Sequence, residues 1–186
     1  MRRNRAPRVL HVWDFDDTLA HSIEAVNRFA EAYPEVPFKA WWHDPVISKI
    51  AIEETRPRFA EWAMVERLPG THLILTGRNG AAVRHWLKRH RNDRRIGKGV
   101  RRIKGIVSTS PVSPPRMVGL GTAAGKALLL HGLKKGFGEV HVHDDDPKNF
   151  EAILEEHPEV IPHGHKPLRV RPNRGKRRRR RRHKRS

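Results

Sequence analysis

The stretch Val9 to Ala20, reading Val-Leu-His-Val-Trp-Asp-Phe-Asp-Asp-Thr-Leu-Ala, constrains the fold more than any other part of the chain. Val9, Leu10, Val12 and Trp13 are strand formers, and the run stops on Asp14, Asp16 and Asp17. This pattern predicts a buried strand whose C-terminal end carries three carboxylates. Carboxylates gathered at one strand end repel each other and lose hydration unless a cation sits among them, and oxygen ligands suit a hard divalent ion such as Mg²⁺. Residues two apart on an extended chain point the same way, so Asp14 and Asp16 can converge on one reacting group. A carboxylate nucleophile, a second carboxylate that moves the proton and a divalent cation are together a known route to phosphoryl transfer. The plainer reading of the same residues is an Asp-rich turn, with Asp17 or Thr18 capping the next helix.

Beyond that turn, Leu19, Ile23, Val26, Phe29 and Ala30 have helical spacing, which Pro34 ends. A strand, a loop of acids and a helix open an α/β sheet whose sites lie beyond the carboxyl ends of the strands. Phe38 to Pro45 contains Trp41 and Trp42, which either pin a loop to the core or form a wall beside the site. Residues 46–67 read as one or two helices divided at Pro57. Thr71 to Arg78, Thr-His-Leu-Ile-Leu-Thr-Gly-Arg, is a second buried strand ending in groups that suit phosphate. Thr76 can donate its hydroxyl, Gly77 lets backbone amides approach closely, and Arg78 can pair with a phosphate oxygen or another anion. A helix over 79–90 and a strand over 103–107 follow, and Ser108 to Pro115 is a loop.

Gly119 to Lys126 enters an amphipathic helix. It is a poor P-loop, because Ala127 stands where that motif needs Ser or Thr and no clear strand precedes it. Gly138 to Asp144 is another strand ending in acid, with Asp145 and Asp146 following. His141 and His143 share one face of it and read as a polar strand face or substrate contact rather than a zinc site. Phe150 to Glu156 is a short helix closed by Pro158, and from Pro162 a packed core is not expected.

The formal net charge of +19 has its meaning in where it lies. Residues 173–186 hold ten Lys and Arg and no acid, and residues 84–104 hold ten against Asp93 alone, so the remainder is balanced. Such blocks bind polyanions by neutralising phosphates and carry little sequence information, which points to RNA or DNA as partner. No cysteine is present, excluding disulfide frameworks, disulfide-linked partners and thiolate metal sites. No window approaches the roughly 20 apolar residues of a membrane span, and the basic N-terminus lacks a signal-like apolar run. The expectation is an intracellular protein, cytoplasmic or addressed to nucleoid or nucleus by its basic runs.

Asp14-Phe15-Asp16-Asp17-Thr18, Leu75-Thr76-Gly77-Arg78, Lys126 at a helix start and Asp144-Asp145 occur in the order of the four motifs of the haloacid dehalogenase (HAD) superfamily, and the chain resembles it from Leu10 to about Leu154. The resemblance implies an α/β fold, a Rossmannoid three-layer sandwich with a mainly parallel sheet and a minimal cap or none. It implies that Asp14 is nucleophile and metal ligand. Asp16 becomes the general acid/base, also offering its carbonyl to the metal, and Thr18 braces the turn. Thr76, Gly77 and Lys126 hold the phosphoryl group, and Asp144 and Asp145 complete the Mg²⁺ site. With Trp41-Trp42-His43-Asp44-Pro45 included, the chain resembles the phosphatase-like domain of Swiss-Army-knife RNA repair proteins. It resembles more loosely the 3′-phosphatase domain of polynucleotide kinase/phosphatase. Asp146 departs from the arginine frequent in the repair-type pattern.

The resulting expectation is a basic arm over 1–8, a phosphatase domain over 9–161 and a disordered Arg-rich tail over 162–186. Its activity is Mg²⁺-dependent hydrolysis of terminal phosphates of polynucleotides, with Arg78, Trp41 and Trp42 touching substrate. Two other readings are a nucleic-acid binder with a weak phosphatase core and a phosphatase of nucleotides or small metabolites.

Overall fold

A computed structural model describes residues 8–110 and 121–166 of the chain. The expected N-terminal arm up to residue 7, residues 111–115 of the loop and the tail from residue 167 lie outside the described residues. In chain order the elements are β1 (Val9–Trp13), β2 (Ala20–His21), α1 (Ser22–Ala32), α2 (Phe38–His43), α3 (Pro45–Ile52), β3 (Arg56–Pro57) and α4 (Phe59–Arg67). There follow β4 (Thr71–Thr76), α5 (Gly80–His90), α6 (Gly97–Arg102), β5 (Ile103–Ser108), α7 (Thr122–Leu133), β6 (Glu139–Asp144), α8 (Pro147–Glu156) and β7 (Ile161–Gly164). Five strands form one sheet in the order β5-β4-β1-β6-β7, every pair parallel. Because the chain builds outward on one side of β1 and then crosses to the other, the sheet has its switch point at β1, where such folds place their sites.

Alternation along the strands divides the core. Leu10 and Val12 of β1 and Leu75 of β4 join Leu130 of α7 and Ile153 of α8 on one face. Trp13 and Ile74 face the other way, into a cluster with Phe15, Trp62, Val83 and Trp86. Each fully buried tryptophan removes about 150–250 Å² from water, roughly 4–6 kcal/mol of gross transfer free energy at about 25 cal/mol per Å². Their indole N–H groups are not left dry: Trp62 donates to the Leu19 carbonyl (2.9 Å) and Trp86 to that of Thr55 (3.1 Å). Helix α4 is thereby tied to the turn after β1.

Three expectations change. Phe38–His43 is a helix, α2, rather than a loop, because Asn79 grips its end: the Asn79 amide N–H donates to the Trp42 carbonyl (2.7 Å) and its side chain to that of His43 (2.9 Å). The first helix starts at Ser22 rather than Leu19, since Leu19 and Ala20 close a turn onto the Phe15 carbonyl and Ala20–His21 pairs antiparallel with Arg56–Pro57. The three helices between those two short strands are the small excursion expected of a minimal cap. The boundary at 161 is also corrected. Ile161–Gly164 is the outer strand β7, in parallel register with β6, and His165 N–H donates to the Asp144 carbonyl (2.9 Å).

Strand β7 owes its place to imidazoles. His72 of β4, His11 of β1, His141 and His143 of β6, His163 of β7 and His165 stand with Trp13 in a ladder on one face of the sheet, with Trp13 stacked on His143 at 3.6 Å and His143 on His163 at 4.5 Å. Carbonyl oxygens only accept, so the two at the edge fix the tautomers. His11 Nε2–H donates to Pro69 O (3.1 Å), His143 Nε2–H to His11 Nδ1 (3.1 Å), and His165 Nε2–H to His143 Nδ1 (3.2 Å). His72 Nε2–H likewise donates to Leu68 O (3.1 Å), leaving Nδ1 to accept from Trp13 (3.1 Å). His141 and His143 thus form a polar strand face, His143 within the ladder and His141 between His163 (2.8 Å) and Glu139. Burial, and then neighbouring imidazoles, push His11 down to about 4 and His143 down to about 2.

Candidate active site

The carboxyl ends of β1, β4 and β6 meet the start of α7, and the groups expected to act together are there. Lys126, buried one turn into α7, donates from Nζ to Asp14 Oδ1 and to Asp144 Oδ2, both at 2.7 Å. Asp144 is fixed by the Asn149 side chain (2.9 and 3.0 Å) and by the Asp146 amide (3.0 Å). Thr18 Oγ1 donates to Asp145 Oδ1 at 3.3 Å, so the residue expected to brace the turn ties it to the second acidic loop.

The turn that presents Asp14 and Asp16 is built by Asp17. Its φ of 56° lies in the left-handed region, where a short polar side chain is tolerated. Its carboxylate accepts from the amides of Ser22 (3.0 Å) and Ile23 (3.2 Å), capping α1 as the plainer reading of the motif allowed. The cap and the chemistry are thus done by different aspartates of one turn.

Asp14, Asp144 and Asp145 place carboxylate oxygens within 4.8 Å of one another. Burial pushes the Asp14 carboxyl well up, against the pull of Lys126 and with the push of Asp144 and Asp16. Burial and then Asp144 raise Asp145 to about 6. For Lys126, burial alone would lower the ammonium, but Asp14 and Asp144 outweigh it and hold it protonated. The balance of charge is the test for a cation: several carboxylates press on one ammonium, all donors are hard oxygens, and a divalent ion relieves the excess. The residues present fit Mg²⁺, with Asp14, Asp144 and Asp145 offering carboxylates. Asp16 does not contribute a carboxylate to this group.

Arg78 corrects an expectation. Its side chain is fully buried, Nη2 and Nε donate to Asp16 Oδ1 (2.7 and 2.9 Å), and Nη1 donates to the Trp41 carbonyl (3.0 Å). The guanidinium also lies over the Trp42 ring at 4.0 Å. Asp16 is thus the other anion that Arg78 takes, and the fully buried guanidinium positions that carboxylate rather than touching substrate. Trp41 is corrected too: it is buried edge-on against Phe29 (5.8 Å, 82°), while Trp42 lines the cleft.

That cleft, of about 380 Å³, opens over Asp14, Asp16, Gly77, Lys126 and Asp145. Thr76 lies behind it, fully buried, its Oγ1 accepting from the Arg78 amide (3.0 Å) and keeping its own hydrogen to donate. A Cβ on Gly77 would stand 2.8 Å from Thr122 Cγ2, so glycine is what lets the strand end approach the start of α7. His43, quoted from the sequence only within the Trp-Trp-His-Asp-Pro motif and given no role, also lines the cleft, as do Thr122 and Asn149, which the sequence reading did not name. Asn149 had a signal, standing five residues after Asp144 and inside the next helix. Thr122 had none apart from standing four residues before Lys126.

A scan against family models and a search of curated proteins find no match to the sequence. Solved structures do match in fold. A haloacid dehalogenase-like family hydrolase from Streptococcus pneumoniae aligns with a TM-score of 0.53 and 16% identity over 88% of this chain and 96% of that one. The Legionella pneumophila effector Ceg4 aligns with a TM-score of 0.50 and 13% identity over 92% and 94%. At such identities the likeness is one of fold.

Proposed function

We propose that this chain, which has the haloacid dehalogenase-like fold, is a Mg²⁺-dependent phosphomonoesterase that removes terminal phosphates from polynucleotides. The observation that carries the proposal is the pair of 2.7 Å contacts by which Lys126 brings Asp14 and Asp144 together at the mouth of the sheet. The Asp14 carboxylate attacks phosphorus, forming an acyl-phosphate bond as the bond to the leaving oxygen breaks. Asp16 gives that oxygen its proton, then takes one from the water that hydrolyses the intermediate. Lys126 and backbone N–H groups at Gly77 donate to the phosphoryl oxygens as charge gathers there. When bound, Mg²⁺ supplies further neutralisation of those oxygens.

Arg78 holds Asp16 without consuming it. Asp16 Oδ2 makes only the longer contact, 3.2 Å from Nε, and a carboxylate oxygen carries more than one acceptor site. The same pairing is what favours the second reading, a nucleic-acid binder with a slow core, since a tightly held Asp16 is less free to move a proton. The polynucleotide substrate is supported by the open cleft and by the unbalanced charge of residues 84–104 and 173–186. A panel of 3′- and 5′-phosphorylated oligonucleotides, nucleotides and p-nitrophenyl phosphate, each with Mg²⁺ and with EDTA, is the test. Mg²⁺-dependent release from oligonucleotide ends supports the proposal, no release from any substrate sinks it, and preference for free nucleotides moves it to the small-metabolite reading.

A further inference from the structure

A larger cleft, of about 490 Å³, lies away from the carboxylates, along the free edge of β5 between α5 and α6. Its floor is apolar, with Leu87 and Val100 nearly buried. Its rim carries five cations, Arg84, Lys88, Arg91, Arg101 and Lys104, and no acid. Among the described residues none of the five is ion-paired, and Arg101 is steadied by donating to the Arg91 carbonyl (2.8 Å).

Other cations of the same segment have been given partners. Arg89 meets Glu53 (2.8 Å), Lys98 meets Glu66 (3.3 Å), Arg95 lies over Phe59 (3.4 Å), and Arg102 is spent on the carbonyls of Glu66 and Leu68. Among the described residues, two of the five cations of the segment outside the cleft, Arg89 and Lys98, are ion-paired, and none of the five within it is. A merely solvated basic face would show no such sorting. Arg84, Lys88 and Arg91 stand at helical i, i+4 and i+7, one stripe about 10 Å long. That is the axial rise of about three nucleotides of a stacked strand. Among the described residues no aromatic ring lines the cleft, which favours recognition of phosphates over stacking on bases.

We propose that this cleft holds the phosphodiester backbone of a nucleic-acid strand whose end lies at Asp14. The placement rests on the polynucleotide reading above. Strand β5 begins in the cleft and ends at Ser108, beside Thr76. From Gly105 that is about 10 Å along the sheet and about 10 Å more across two strand spacings to β1, a few nucleotides in all.

The test is salt-dependent binding of a fluorescein-labelled single-stranded oligonucleotide to the full chain. Arg84, Lys88 and Arg91 are replaced together by Ala in one variant, and Arg89, Arg94 and Lys98 in a control of equal charge. Melting temperatures confirm that each folds. The cleft variant is expected to lose about two units of the log–log salt slope and to bind about tenfold more weakly at moderate salt, at roughly 0.7 unit per lost phosphate contact. The control is expected to lose less than one unit. Equal losses in both variants, or none in the cleft variant, would overturn the proposal, as would inorganic polyphosphate displacing the strand more readily than unlabelled oligonucleotide does at equal phosphate. Wild-type turnover of p-nitrophenyl phosphate, measured in parallel, tests the phosphatase reading separately, because the binding result does not depend on it.

Discussion

Lys126 has two buried carboxylates within 2.7 Å, so its removal leaves charges that nothing else pairs. Lys126→Met is expected to cost about 3–5 kcal/mol, a fall of about 10 °C in melting temperature. Saturating Mg²⁺ should recover roughly half of it, because a cation that binds only the folded chain stabilises it by mass action. A melt that Mg²⁺ leaves unchanged in both wild type and variant would remove the metal from the site. Asp14→Asn should lower turnover of p-nitrophenyl phosphate by about 10³-fold or more while the far-ultraviolet circular dichroism stays that of wild type. Gly77→Ala pushes a methyl group against Thr122 and is expected to cost about 1–2 kcal/mol and about tenfold in kcat/KM, read by calorimetry and by steady-state kinetics. These residues could be read in the sequence because each ends a strand or opens a helix and carries the chemistry itself. Arg78 could not be read in full. Its spacing gives a cation beside a phosphate site, but whether a guanidinium faces solvent or a buried aspartate depends on α2 and α3 closing over it, which is a tertiary fact.

At the scale of elements, β1, β4 and β6 were legible because apolar runs ended on polar residues. The last strand was not, since Ile-Pro-His-Gly lacks a strand's composition and is held by its parallel register with β6 and by the contacts of His163 with His141 and His143. Helix α2 was hidden for a similar reason: six residues have too little intrinsic helicity, and Asn79 supplies the missing bonds. The ladder that recruits β7 carries a prediction in its neutrality. His11 is held down to about 4 against an unfolded value of 6.5, so between those pH values the unfolded chain binds the extra proton. Stability is then fully present above about pH 6.5 and falls as the pH drops toward 4, by at most about 1.4 kcal/mol per pH unit for this one group. Because the raised carboxyl of Asp145 works the other way over the same range, the ladder is read as a difference: from pH 8 to 4.5 the melting temperature of wild type should fall relative to that of His11→Phe. A His11→Phe variant that tracks wild type at every pH would contradict the ladder.

Over the whole molecule the two sides of the sheet have different work. The α7 and α8 side is an ordinary aliphatic core, while the other carries the tryptophans, the imidazoles and, further out, the basic edge. No helix among the described residues is long and apolar enough to cross a membrane. The opening of an α/β sheet was legible from the order of strands and helices, and the three-layer, mainly parallel arrangement was implied by the family resemblance; the sorting of the basic segment into paired and unpaired cations was not, because it depends on where Glu53 and Glu66 stand.

The direction of the imidazole row has one more consequence. A file of hydrogen-bonded rings invites comparison with a proton conductor, but conduction needs an exit, and this file ends on the Pro69 carbonyl, which cannot keep a proton. At the other end of the run from Pro69, His165 Nδ1 stands 3.6 Å from Glu61, which Arg58 also grips as it reaches the Asp17 carbonyl. The row is therefore closed at its Pro69 end, while its other end is tied through Glu61 and Arg58 to the turn that presents the nucleophile.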